Sequence, residues 1–214
     1  MLKDKIRKVF NERFEKSPEL IVKAPGRINI IGEHTDYNLG FVLPAAIDYY
    51  MYLGFVQNDL NKYRIYSIDF NEQVIIENQD LIPDDNSWLN LIKGVIHQLK
   101  DNISGFDMVF CGNIPSGAGL SSSAALCCGT TFGISSLFKL ELEKWDIAKT
   151  AQKSEHTFAM VQCGIMDQFA CMFGKPGIAL ILDCLSLEYQ ESEIDISGYE
   201  ILLLDSNVKH SLND

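Results

Sequence analysis

Gly112-Asn113-Ile114-Pro115-Ser116-Gly117-Ala118-Gly119-Leu120-Ser121-Ser122-Ser123-Ala124-Ala125 is the stretch on which the reading of this chain turns. The apolar run before it, Gly105–Cys111, reads as a strand, and the uncharged run after it reads as a helix to about residue 138. Small residues let a backbone come close to a ligand, and serines supply an N-cap and free hydroxyls. The first N–H groups of a helix have no partner within it, and the helix dipole favours an anion there. A strand-to-helix corner of this kind suits a phosphate, although a small-residue loop before a tightly packed helix explains the same residues. No Gly-Lys-Ser/Thr follows, so it is not a Walker A loop. No His-Arg-Asp or Asp-Phe-Gly is present, so it is not a protein-kinase loop.

Outward from that corner, residues 142–160 place Leu142, Trp145, Ala148, Ala151 and Ala159 on the inner side of a helix. A short helix is predicted near Gly164, and strands at Gly177–Leu182 and Ile201–Asp205. Upstream, residues 2–14 carry Leu2, Ile6, Val9, Phe10 and Phe14 at helical spacing. Glu19–Lys23, Phe41–Ile47, Met51–Gln57, Tyr63–Ile68 and Gln73–Glu77 read as strands broken by Asn/Asp turns. A helix from Trp88 to about Lys100 puts Leu91, Ile92, Val95, Ile96 and Leu99 on one face, and His97 on it reads as structural. Strands cluster early and helices late, which predicts an α+β fold with a mixed sheet packed by helices.

The 214 residues hold 18 Lys+Arg against 29 Asp+Glu, a formal charge of −11. An acidic chain gains nothing from counterion release, so neither nucleic acid nor a membrane surface is an expected partner. With 47% hydrophobic and 22% charged residues the composition is globular. The N-terminal 16 residues are heavily charged and hold no apolar signal region. Met108–Phe138 is uncharged, but Pro115, glycines and serines interrupt it, so it reads as loop plus buried helix rather than a membrane span. Six cysteines (111, 127, 128, 163, 171, 184) show no CxxC spacing and sit in apolar surroundings, which predicts reduced core thiols in a reducing compartment.

Two other segments carry chemistry. Ala24–Gly40 reads as irregular and packs Arg27, Glu33, His34 and Asp36 between glycines. Carboxylates at 33 and 36 flanking an imidazole can accept several hydroxyl hydrogen bonds, as sugar recognition requires. Further on come Glu155-His156 and then Cys163-Gly164-Ile165-Met166-Asp167-Gln168-Phe169. Asp167 falls in the first turn of a helix, where it serves either as a helix-start carboxylate or, beside an arginine, as a general base. Glu155 reads as either a surface helix residue or a metal ligand.

Gly26-Arg27-Ile28-Asn29-Ile30-Ile31-Gly32-Glu33-His34-Thr35-Asp36-Tyr37-Asn38 resembles the signature of the galactokinase branch of the GHMP kinases over its whole length. Pro115–Ala125 resembles the nucleotide loop shared by that superfamily, and Gly164–Phe169 and Asp205–Leu212 again resemble galactokinases. The resemblance implies a ribosomal-S5-domain-2-like α+β domain, over residues 1–214 with the start of a link after about 200, and a cytoplasmic kinase using ATP and Mg²⁺. It implies that Glu33, His34, Thr35, Asp36 and Gly164 hold the sugar. Asp167 would face the anomeric hydroxyl as proton acceptor, and Arg27 would stabilise transition-state charge and hold Asp167 as a carboxylate. Gly117, Ala118, Gly119, Leu120, Ser121, Ser122 and Ser123 would wrap the phosphates, Ser67 would touch the nucleotide, and Ser123 and Glu155 would bind Mg²⁺. Galactose with Mg-ATP is the implied substrate pair; an N-acetylgalactosamine kinase and a non-catalytic sugar and ATP sensor are the competing readings. Two departures stand out. Cys127 and Cys128 follow Ala125-Leu126 where many relatives carry Glu at the first of the two positions, and the family's later glycine-rich motif and sugar-side tyrosine are absent. The chain therefore reads as the N-terminal portion of a protein about twice as long, with a C-terminal domain as its missing partner.

Overall fold

The computed structural model describes residues 2–115 and 117–204. Its elements in chain order are α1 (Leu2–Phe14), β1 (Leu20–Asn29), β2 (Phe41–Val42), β3 (Pro44–Gln57), β4 (Tyr63–Ser67) and β5 (Glu72–Ile76). Then come α2 (Ser87–Leu99), β6 (Phe106–Gly112), α3 (Ser122–Phe138), α4 (Lys144–Phe158), α5 (Met166–Phe173), β7 (Ile178–Asp183) and β8 (Tyr189–Glu193). The strands form one sheet in the order β2-β7-β3-β6-β4-β5, with β1 added along β3 and β8 along β7. β4 and β6 run parallel and the other pairings are antiparallel, so the sheet is mixed, as the α+β reading expects.

Alternation along the central strands sends side chains to two cores. Leu53, Phe55, Ile65, Phe106, Met108 and Phe110 face the layer of α2 and α3, with α4 behind. Val56, Tyr66, Val109 and Cys111 face the other side, where α1 lays down Ile6, Phe10 and Phe14. β6 is thus covered on both faces, which is why its sequence is a continuous apolar run. Phe10 is fully buried, and truncating it to Ala costs about 3–5 kcal/mol. A smaller core joins α5 to β7 through Phe169, Phe173, Leu180 and Leu182 and fixes the start of α5 against the sheet.

Several sequence expectations need correction. Ala24–Asn29 is not irregular: β1 continues through Pro25 and Gly26 to Asn29, with a bulge between Pro25 and Arg27. β1 pairs only with β3, and such an edge strand tolerates a proline. The two strands expected at 41–47 and 51–57 are instead β2 and one 14-residue β3, because β1 runs alongside the whole of it. β8, unforeseen, pairs with β7 through the exposed, charged residues Tyr189–Glu193. Residues 201–204 form no strand and are exposed, and Asp205–Leu212 lie outside the described residues. All six cysteines are free, five of them buried, as the thiol reading expects. His97 is exposed and its ring contacts Phe158. Among the described residues no helix is long and apolar enough to cross a membrane.

Candidate active site

Three elements meet at one point. The bulge in β1 turns Arg27 towards the loop before α3, and the Arg27 amide donates to the Leu120 carbonyl at 3.2 Å. Its guanidinium donates from Nη1 to the Gly119 carbonyl at 2.5 Å and from Nε to Oδ1 of Asp167 at 2.6 Å, with Nη2 in ion-pair contact with the same oxygen at 2.6 Å. Asp167 lies in the first turn of α5, and its Oδ2 accepts from the Ser121 hydroxyl at 2.5 Å. Arg27 and Asp167 are half-buried, with side chains 14% and 23% exposed. The pair is shielded enough to be short and defined, and open enough to meet a ligand. A side chain on Gly26 would press on the Leu120 carbonyl at 2.7 Å, so β1 reaches the loop only because this residue is glycine.

The loop itself is open. Gly117 and Gly119 have φ of +75° and +69°, and no atom lies within 4 Å of where their Cβ would be. Ser121 precedes α3 at φ +61° and makes no side-chain cap, so the helix's leading N–H groups are left for another acceptor. Ala118 is half-buried, Leu120 is buried, and Ser122 and Ser123 are half-buried at the helix start.

Residues 33–39 form a run of turns between β1 and β2. Glu33 is exposed and accepts from Asn29 Nδ2 at 2.8 Å. His34, also exposed at φ +62°, has Nδ1 2.5 Å from the Tyr37 hydroxyl. The Thr35 hydroxyl is directed to the carbonyls of Gly32 and Phe41 at 2.6 and 2.7 Å and clasps the turn shut. Asp36 points inward over Gly164, where an added Cβ would lie 2.1 Å from its Oδ2. Burial raises the Asp36 pKa, helped by the negative charge of Asp167 and opposed by a backbone N–H at Tyr37 and by Arg27. On its far side, Asp36 lines a 380 Å³ cavity with His156, Gln152, Cys163 and Cys184.

Glu155 of α4 is no surface residue: it is 3% exposed and accepts from Gln168 Nε2 at 2.7 Å. Burial lifts its pKa to about 7, while Gln168, Ser123 and Arg27 favour the charged form and Asp167 opposes it. Glu155, Ser123, Asp167 and Arg27 therefore share one electrostatic neighbourhood. Ser67 is not brought there. It is fully buried in β4, and its hydroxyl accepts from the Phe70 amide at 3.3 Å, so it offers a ligand no surface. Sequence reasoning missed Asn29 and Gln168. Each sits beside a residue already singled out, but only the fold shows that its amide holds Glu33 or Glu155.

Similarity to known proteins follows the same segments. Residues 90–175 match the model of the GHMP kinases N terminal domain, and residues 8–55 match the galactokinase galactose-binding signature. The chain is 47% identical to a galactokinase of Thermosipho africanus over 195 residues, 90% of this chain and 54% of that protein. It is 39% identical to a galactokinase of Clostridium acetobutylicum, over 100% of this chain and 56% of that one. In structure it resembles Lactococcus lactis galactokinase complexed with galactose, with a TM-score of 0.85 and 33% identity over 92% of this chain and 53% of the other. A mevalonate kinase shares the fold at a TM-score of 0.67 and 20% identity. The chain spans about half the length of these relatives. Residues 90–175 carry the match to the N-terminal domain of the GHMP kinases. Within them the chain corresponds to the N-terminal region of galactokinases.

Proposed function

We propose that this chain is the sugar- and ATP-binding part of a galactokinase, which transfers the γ-phosphoryl group of ATP to the anomeric hydroxyl of α-D-galactose. The observation that carries this reading is the junction of Arg27, Asp167 and Ser121, where a carboxylate and a guanidinium sit between the phosphate-type loop and the Glu33–Asp36 turn. The anomeric oxygen forms a bond to the γ-phosphorus as the bond to the ADP oxygen breaks, and its proton passes to Asp167. Arg27 keeps that carboxylate in place and offers positive charge to the equatorial phosphate oxygens. The open Gly117–Ser123 backbone and the uncapped start of α3 take the phosphates. Asp36, Glu33 and His34 accept or donate to the sugar hydroxyls, and Gly164 leaves Asp36 its space.

Ser123 and Glu155 would hold Mg²⁺. Both offer oxygen, and the buried Glu155 carboxylate, whose pKa of about 7 reflects the lack of a full counter-charge, fits a hard cation. Among the described residues no three His, Cys, Asp or Glu groups form a metal cage. Bound there, the ion would neutralise phosphate charge. Exposed apolar side chains at Ile30, Ile31, Leu39, Phe41 and Leu185 border the turn. They support a second half of the polypeptide, beginning after about residue 200, that covers the sugar; the setting we propose is cytoplasmic.

The test is product formation by the whole protein from galactose, N-acetylgalactosamine and glucose with Mg-ATP. Galactose 1-phosphate is expected from the wild type, and Asp167→Ala is expected to lower turnover by about 10²–10⁴-fold while galactose binding survives. Unchanged turnover removes Asp167 from the mechanism. Binding of galactose and ATP without any turnover by the wild type favours a sensor.

A further inference from the structure

Ser121 occupies the N-cap position of α3, where a serine ordinarily takes an extended backbone and turns its oxygen onto the helix's second or third N–H. Here the backbone is left-handed, at φ +61° and ψ +48°, a region that residues other than glycine, asparagine and aspartate seldom enter. In this conformation the hydroxyl leaves the helix uncapped and donates instead to Asp167 Oδ2, 46 residues further along the chain.

The two oxygens of a carboxylate offer about four acceptor positions. On Asp167, Nε of Arg27 donates to Oδ1, with Nη2 in ion-pair contact with the same oxygen, and Ser121 donates to Oδ2. The second position on Oδ2, beside the loop that carries Ser121, takes no hydrogen bond from the described residues. We infer that Ser121 is a positioning residue for phosphoryl transfer: its hydroxyl serves Asp167, not the phosphates, fixes the orientation of Oδ2 and leaves that oxygen's other lone pair to the incoming sugar hydroxyl. Only its backbone N–H belongs to the phosphate loop. The same residue thereby ties the nucleotide corner to the proton acceptor, so that the distance between the attacking oxygen and the γ-phosphorus is set within one short segment.

The inference rests on the kinase reading above, and the two fail differently. Without product from the wild-type whole protein with galactose and Mg-ATP, the kinase reading fails. Given wild-type turnover, the deciding variants are Ser121→Gly and Ser121→Asn. Glycine adopts φ +61° without strain, so Ser121→Gly is expected to fold with an unchanged or higher melting temperature while losing the donor. Its kcat is expected to fall about 10- to 100-fold with KM for ATP within about twofold of wild type, as for a misplaced reacting group. Asparagine tolerates the same backbone and supplies N–H donors, and is expected to recover part of the lost kcat. An undiminished kcat in Ser121→Gly overturns the assignment. So does a loss that appears mainly as a raised KM for ATP, since that marks a phosphate ligand. A Ser121→Asn no better than Ser121→Gly counts against the hydrogen bond as the cause.

Discussion

The Arg27–Asp167–Ser121 junction, our proposed transfer centre, and the turn at 32–40, our proposed sugar side, are adjacent yet held in opposite ways. Arg27, Asp167 and Ser121 come from β1, α5 and the loop before α3, and they are bound to one another across 46 to 140 residues of chain. The turn at 32–40 is closed by its own neighbours: Thr35 donates to Gly32 and Phe41, Asn38 Nδ2 to His34, and the Gly40 amide to Thr35. The groups proposed to recognise the sugar, Glu33 and His34, are exposed, whereas Arg27 and Asp167 are half-buried. Long-range packing thus sets the geometry of the junction. The sugar side is a one-sided grip, completed by what binds to it.

Substitutions can break this contrast from either side. Among the variants that separate the two regions, the largest effect is expected at Arg27→Lys. A lysine places one point charge where the guanidinium reaches both Asp167 Oδ1 and the Gly119 carbonyl. A steady-state assay on the whole protein should show kcat lower by about 10²–10³-fold.

Next is Glu155→Gln. The folded pKa of about 7 lies above the ordinary 4.5, so the folded state holds the proton longer than the unfolded chain does. The stability gained from that retained proton is complete at acid pH and is lost as pH rises from about 4.5 through 7. Chemical denaturation in the absence of divalent cations should show wild type losing about 2 kcal/mol between pH 5 and 8, a slope that the glutamine variant lacks.

A smaller effect, confined to the sugar side, is expected for Gly164→Ala. Its methyl would collide with Asp36 Oδ2, raising KM for the sugar about tenfold while kcat holds. If kcat falls instead, the transfer centre is less insulated from the turn than the packing indicates. Thr35→Val is the mildest test. Losing the clasp should cost about 1 kcal/mol in urea unfolding and leave the Arg27–Asp167 pair intact.

Much of this was legible before the fold was known. The helices α1 and α2 follow from periodicity, β4 from its β-branched and aromatic residues, and α3 and β6 from uncharged apolar runs, because each buries a regular stripe or a full face. The segments carrying Arg27, Ser121 and Asp167 were each marked by unusual residues in an apolar setting. Strand edges were less legible. Pro25 and Gly26 look like breakers, but the one outer edge of β1 needs no hydrogen bonds, so β1 runs through them. Tyr189–Glu193 has little apolar pattern and is a strand only because β7 offers it a partner. The site showed the same division: residue types pointed to a carboxylate and a guanidinium, whereas the donation from Ser121 and the closure by Thr35 depend on tertiary placement.

The close passage of Gly26 beneath Leu120 means that neither side of the junction is free to vary alone. A larger residue at 26 would lift the strand, carry the guanidinium off Asp167 and drag the phosphate corner with it. In a library randomised at 24–28 and 117–121, functional survivors should therefore arrive as matched pairs. A tolerant position on one strip would be tolerant only in the company of a particular neighbour on the other.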